Sequence, residues 1–142
     1  MAIWKKPFTI DELNKLNANT LVEHLGILFT AYGDDYLEAT MPVDHRTTQV
    51  VGLLHGGASV VLGESIGSIA SYLCTVSRNT SCVGVEVNAN HLKSARSGFV
   101  TGRVTALRIG SRLHVWDIRI RDASDALLCA GRLTVSVSEK AP

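Results

Sequence analysis

An antiparallel sheet wrapped around one long buried helix, an α+β fold, is what this sequence predicts, and three observations predict it. The stretch from Gly52 to Cys74 is apolar nearly all round over about five helical turns, so a helix there must be covered on most sides. Runs with the alternation of strands lie on both sides of it. The later runs follow one another across short turns, the pattern of an antiparallel meander. A sheet of about six strands needs its apolar face covered, and the long helix is the element able to cover it.

The elements can be justified in order. Thr9-Ile10-Asp11-Glu12 has the form of a capping box, followed by Ile10, Leu13 and Leu16 at helical spacing. Thr20-Leu21-Val22-Glu23 repeats the signature and predicts a second short helix ending near His24. Residues 27–31 and 36–41 read as strands on either side of the turn residues Gly33-Asp34-Asp35, with Pro42 closing the second. Residues 44–51 are polar and read as a loop into the central helix. After a connection over 76–81, strands are expected at 82–92, 99–109, 112–121 and 127–137. In the first of these, Val83, Val85 and Val87 are expected on one face, with Glu86 and Asn88 on the other. Residues 139–142 are expected to be a frayed tail.

The 142 residues are expected to form a single domain, 1–142, with no repeat and no linker, and a chain of this size can bury a core without staples. A net charge of +1 argues against an extended nucleic-acid surface. Three cysteines, odd in number and without a Cys-x-x-Cys pair, argue against a disulfide framework or a zinc site and suit a reducing cytoplasm. The start of the chain lacks the apolar run of a signal peptide. The acid, serines and internal glycines of the central stretch argue against a membrane span.

The chemistry is concentrated at that stretch. It opens on Leu54-His55-Gly56-Gly57, and its one acid, Glu64, lies among Val61, Leu62, Ile66 and Ile69. A carboxylate in such company needs a raised pKa or a fixed partner, and either makes it useful. A glycine-lined helix start offers free backbone N–H groups and the positive end of the helix dipole, the geometry of an oxyanion site. Ser68 follows Glu64 by one turn and shares its face. His24, His45 and His114 are scattered, without metal-ligand spacing.

These residues resemble the hotdog-fold acyl-CoA thioesterases, in the branch whose catalytic carboxylate lies on the central helix. The resemblance is carried by Gln49, His55-Gly56-Gly57, Glu64 nine residues after the histidine, and Ser68. Residues 37–44, 52–59, 88–91 and 94–96 are further similar to the bacterial thioesterases that act on 1,4-dihydroxy-2-naphthoyl-CoA in menaquinone synthesis. What the resemblance implies is hydrolysis of an aromatic acyl-CoA. Glu64 would be nucleophile or general base. The Gly56 N–H and Gln49 would polarise the thioester carbonyl, helped by His55, and Ser68 would orient Glu64 or the attacking water. His91, Lys93, Ser94 and Arg96 would bind coenzyme A. No cofactor is implied, coenzyme A being part of the substrate. A hotdog dehydratase or hydratase and a non-catalytic acyl-CoA binding module remain the alternatives.

Helix geometry adds an expectation about assembly. Gly56 and Glu64 lie eight residues apart, about 12 Å along one helix, too far to act on one carbonyl. Two antiparallel copies of the helix across a two-fold axis would bring them together, so sites at a subunit interface are expected. The resemblance implies a homodimer or homotetramer, and no nucleic-acid or membrane partner is expected. Gly57, Ala58, Gly63 and Gly67 are expected to ease that approach.

Overall fold

The computed structural model describes residues 1–77 and 79–139. Two short helices, α1 (Ile10–Leu16) and α2 (Leu21–His24), precede strands β1 (Leu28–Tyr32) and β2 (Tyr36–Pro42). The long helix α3 (Gly56–Leu73) is followed by β3 (Thr80–His91), β4 (Phe99–Ile109), β5 (Leu113–Asp122) and β6 (Leu127–Glu139). All pairings are antiparallel, in one six-stranded sheet of order β1-β2-β4-β5-β6-β3. Of the residues expected as a frayed tail, Glu139 is instead the last residue of β6, and residues 140–142 lie outside the described residues, as does Arg78 of the expected connection.

The meander holds for β4, β5 and β6 but not for β3, which pairs with β6 at the sheet edge. Residues 92–98 are therefore not a hairpin turn but a crossover that carries the chain past the start of α3, where the Ala95 carbonyl accepts from Leu54 N–H at 2.8 Å. The valines of β3 also divide differently. Gly84 pairs with Val135 and Glu86 with Thr134, leaving Val85 as the extra residue of a bulge. The bulge shifts the alternation: Cys82 and Val87 pack on the core, while Val83 and Val85 are 58% and 59% exposed.

α3 lies across the concave face of the sheet and buries Leu62, Ile66, Ala70 and Leu73. Its glycines set the distance. An added Cβ at Gly63 would stand 2.8 Å from Ile118, and one at Gly67 2.5 Å from Leu133, so both fit the helix against its own sheet. That replaces the expectation that they ease approach to a second helix; Ala58 is likewise buried within the chain. A buried polar pair in this contact is satisfied, with Trp116 Nε1 donating to Ser71 Oγ at 2.8 Å.

The N-terminal segment closes the other end of α3. Lys5 and Lys6 N–H groups donate to the Leu73 carbonyl at 2.9 and 3.2 Å, and Lys6 Nζ donates to the Tyr72 carbonyl at 2.9 Å. These donors and the lysine charge complement the negative end of the helix. α1 has the capping box read from sequence, Thr9 Oγ1 accepting from Glu12 N–H and Glu12 answering Thr9 N–H. α2 does not: Thr20 donates its hydroxyl to the Asn17 carbonyl at 2.6 Å, and Glu23 instead accepts from Asn19 N–H at 2.6 Å. Among the described residues, no helix is long and apolar enough to cross a membrane.

Candidate active site

Residues 44–51 form the expected loop before α3, and it is tied down by hydrogen bonds. Thr48 and Leu54 make an isolated antiparallel bridge, Gln49 N–H donates to the Leu53 carbonyl at 2.8 Å, and Gly52 turns the chain at a φ of 76°. Asp44 anchors the base of this loop by accepting from the backbone N–H and the guanidinium of Arg46, a pairing that holds its carboxyl down to about 2. Within the turn, Val51 N–H donates to Gln49 Oε1 at 2.5 Å. The acceptor end of the Gln49 amide is thereby occupied, and its NH₂ end is left as donor.

His55 is the N-cap of α3. Its backbone N–H donates to the Thr47 carbonyl and its Nδ1 accepts from Gly57 N–H, both at 2.8 Å. His55 Nδ1 thus serves as an acceptor at the helix start. With Gly57 and Ala58 N–H groups engaged by His55, the Gly56 N–H has no acceptor among the described residues. Close approach is built in, because a Cβ on Gly56 would meet His91 Nε2 at 2.6 Å.

A cavity of about 390 Å³ opens at this helix start, and Gln49, Gly56, His91, Lys93 and Ser94 line it together with Leu54 and Leu92. Five of the nine residues singled out in the sequence thus come together. His55 stands behind the Gly56–Gly57 backbone. Arg96 is on the neighbouring turn, its Nη1 donating to the Val51 carbonyl at 3.4 Å. Lys93 Nζ is 3.0 Å from Asp122, whose carboxyl is held well below the usual range, first by the Ser124 hydroxyl and then by Lys93.

Glu64 and Ser68 are not part of that cavity. They line a separate one of about 370 Å³ with Ser65, Val61, Ile69, and Asn17, Leu21 and Val22 from the α1–α2 region. The Glu64 carboxylate is half-buried and, among the described residues, accepts no hydrogen bond from protein. Its Oε1 lies where a Cβ of Gly84 would stand, 2.6 Å from that position. Gly84 escaped the sequence reading, although a lone glycine inside a strand is a signal for a bulge or a close approach.

Comparison with known proteins bears on the arrangement. The profile of the thioesterase superfamily matches residues 51–129, from the turn before α3 into β6. The 1,4-dihydroxy-2-naphthoyl-CoA hydrolase of Escherichia coli is 53% identical over 135 residues, covering 95% of this chain and 98% of that protein. A Haemophilus influenzae thioesterase structure superposes with a TM-score of 0.93 at 51% identity, covering 96% and 95% of the two chains. A mutant thioesterase from Pseudomonas aeruginosa does so with a TM-score of 0.95 at 48% identity, covering 97% and 99%. Sheet order, helix and near full-length similarity agree: this chain belongs to the thioesterase superfamily, as a thioester hydrolase of the hotdog fold.

Proposed function

We propose that the protein hydrolyses aromatic acyl-CoA thioesters, with 1,4-dihydroxy-2-naphthoyl-CoA as substrate, in an active site shared by two copies of the chain. The substrate is that named for the 53% identical Escherichia coli hydrolase, and the observation that carries the shared site is the division of the machinery. The free Gly56 N–H and the Gln49 NH₂ converge on one cavity, whereas Glu64 lies in another, eight residues along an unbroken helix. The rise of about 12 Å between them cannot be closed by one glutamate side chain. Antiparallel packing of two helices across a two-fold axis joins the helix-start cavity of one copy to the Glu64 cavity of the other.

In that joined site, the thioester oxygen accepts from Gly56 N–H and Gln49 Nε2–H. These donors strengthen as charge builds on the oxygen in the transition state, a contribution on the order of 3–4 kcal/mol. Glu64 of the other copy attacks the carbonyl carbon, directly or through a water it deprotonates, and Ser68 orients it. The C–S bond breaks, coenzyme A leaves as thiol, and one water is consumed to give the free acid. His91, Lys93, Ser94 and Arg96 take the coenzyme A side, with Lys93 sharing its charge between Asp122 and the incoming phosphates. A cytoplasmic location follows from a coenzyme A substrate and from the three free cysteines.

A dehydratase is less favoured, because His55 Nδ1 is committed to the Gly57 N–H and the ring serves the helix start. The test is thiol release from a panel of aryl and alkyl acyl-CoA thioesters. The reading expects the highest kcat/KM with the dihydroxynaphthoyl thioester. Release from alkyl thioesters alone would remove the aromatic assignment, and release from none would return the function to a binding module.

A further inference from the structure

The cavity beside Glu64 holds a polar group that the hydrolytic chemistry leaves unused, the carboxamide of Asn17. Asn17 is the C-cap of α1, and its Nδ2 donates to the Leu13 carbonyl at 2.7 Å. That bond fixes which end of the amide is nitrogen. Its Oδ1 receives no hydrogen bond from the described residues. The result is an oriented acceptor on a wall whose other members from that side, Leu21 and Val22, are apolar.

We infer that Asn17 Oδ1 accepts a hydrogen bond from a ring hydroxyl of the acyl group, making the enzyme selective for aryl thioesters that carry a hydroxyl remote from the carbonyl. The inference rests on the aryl-CoA reading above and assigns a specificity residue within it. The thioester carbon must sit at Glu64 with coenzyme A toward the partner's helix-start cavity. The ring then extends along α3 into the cavity that Ser68 and Ile69 line together with Asn17. Asn17 accordingly reads a hydroxyl remote from the carbonyl. In a 1,4-dihydroxy-2-naphthoyl group, the 1-hydroxyl can bond internally to the adjacent carbonyl, which leaves the 4-hydroxyl as the donor in need of a partner. Ser65 and Ser68 can donate as well as accept, so they discriminate less. An amide oxygen only accepts, and it is left unpaired when the hydroxyl is missing.

The test compares 1,4-dihydroxy-2-naphthoyl-CoA with 1-hydroxy-2-naphthoyl-CoA on the full-length wild type, Asn17→Ala and Asn17→Asp. Wild type should favour the dihydroxy substrate in kcat/KM by about tenfold or more. Asn17→Ala should bring the ratio to within about twofold by losing rate on the dihydroxy substrate alone. Asn17→Asp keeps an acceptor while losing the bond to Leu13, and should keep the preference. Equal losses on both substrates in Asn17→Ala, or an unchanged ratio, would overturn the inference. So would loss of the preference in Asn17→Asp, which would trace the effect to the helix cap. If wild type releases thiol from neither substrate, the aryl-CoA reading itself fails and takes this inference with it, a result distinct from an unchanged ratio.

Discussion

Glu64 and Gly84 are best understood as a pair. The carboxylate needs room between its helix and the edge strand, and the missing side chain of Gly84 provides it. Glu64→Gln keeps the volume and removes the basicity, so kcat on an aryl thioester should fall by about 10²–10⁴ with the fold intact. Steady-state kinetics alongside circular dichroism checks this, and kcat within about tenfold of wild type would rule out a catalytic role. Gly84→Ala should keep the fold too, because the clash falls on the free end of a flexible side chain. It should cost up to about a hundredfold in kcat/KM by moving the carboxylate, since small misplacements are expensive at a reacting centre. Activity equal to wild type would mean that the Glu64 position seen here is not the working one. At this scale the sequence was informative where a residue type was out of place, as with an acid in an apolar helix. It did not show which backbone positions meet which side chains in space. Gly84 and the Val51 N–H that orients Gln49 are such cases.

Among the elements, the central helix and the strand segments were legible because each carries its own periodicity. Strand order was not. Nothing in residues 92–98 states that the chain crosses over rather than turning back, and the decision rests on pairing between β2 and β4 and between β3 and β6, which are distant in sequence. The β3 bulge was hidden for a related reason, since three valines in alternation read alike on either side of an inserted residue. Strand β5 supplies a prediction. His114 is 2% exposed, its Nδ1 has no partner among the described residues, and burial pushes its pKa below the ordinary value of 6.5. The unfolded chain therefore takes up a proton near pH 6.5 that the folded chain refuses. The neutral ring's contribution is complete above that pH and is lost as pH falls through the window below it, until the folded ring protonates as well. The loss should not exceed about 1.4 kcal/mol per pH unit, the limit for one proton. Urea unfolding of wild type and His114→Gln at a series of pH values between 7.5 and 5 checks it. The difference in stability should shift in favour of the variant as pH falls, and a pH-independent difference would contradict the assignment.

For the molecule as a whole, the proposed active site is one that a single chain does not complete. The span of about 12 Å between Gly56 and Glu64 is legible in the sequence, because helical rise and residue count alone set it. What the fold adds is that α3 is unbroken from Gly56 to Leu73, so no kink shortens the span, and that the two groups face separate cavities. Complementation tests this claim most directly. Glu64→Gln removes the carboxylate, and Gly56→Val places a side chain against His91 at the proposed carbonyl site. Each variant alone should be nearly inactive on an aryl-CoA thioester. When the two are mixed, dissociated and reassembled, a heterodimer regains one intact site, and thiol release should rise to about a quarter of wild type for random exchange and independent sites. Heterodimers verified by mass, with activity no higher than that of the separate variants, would contradict the shared site.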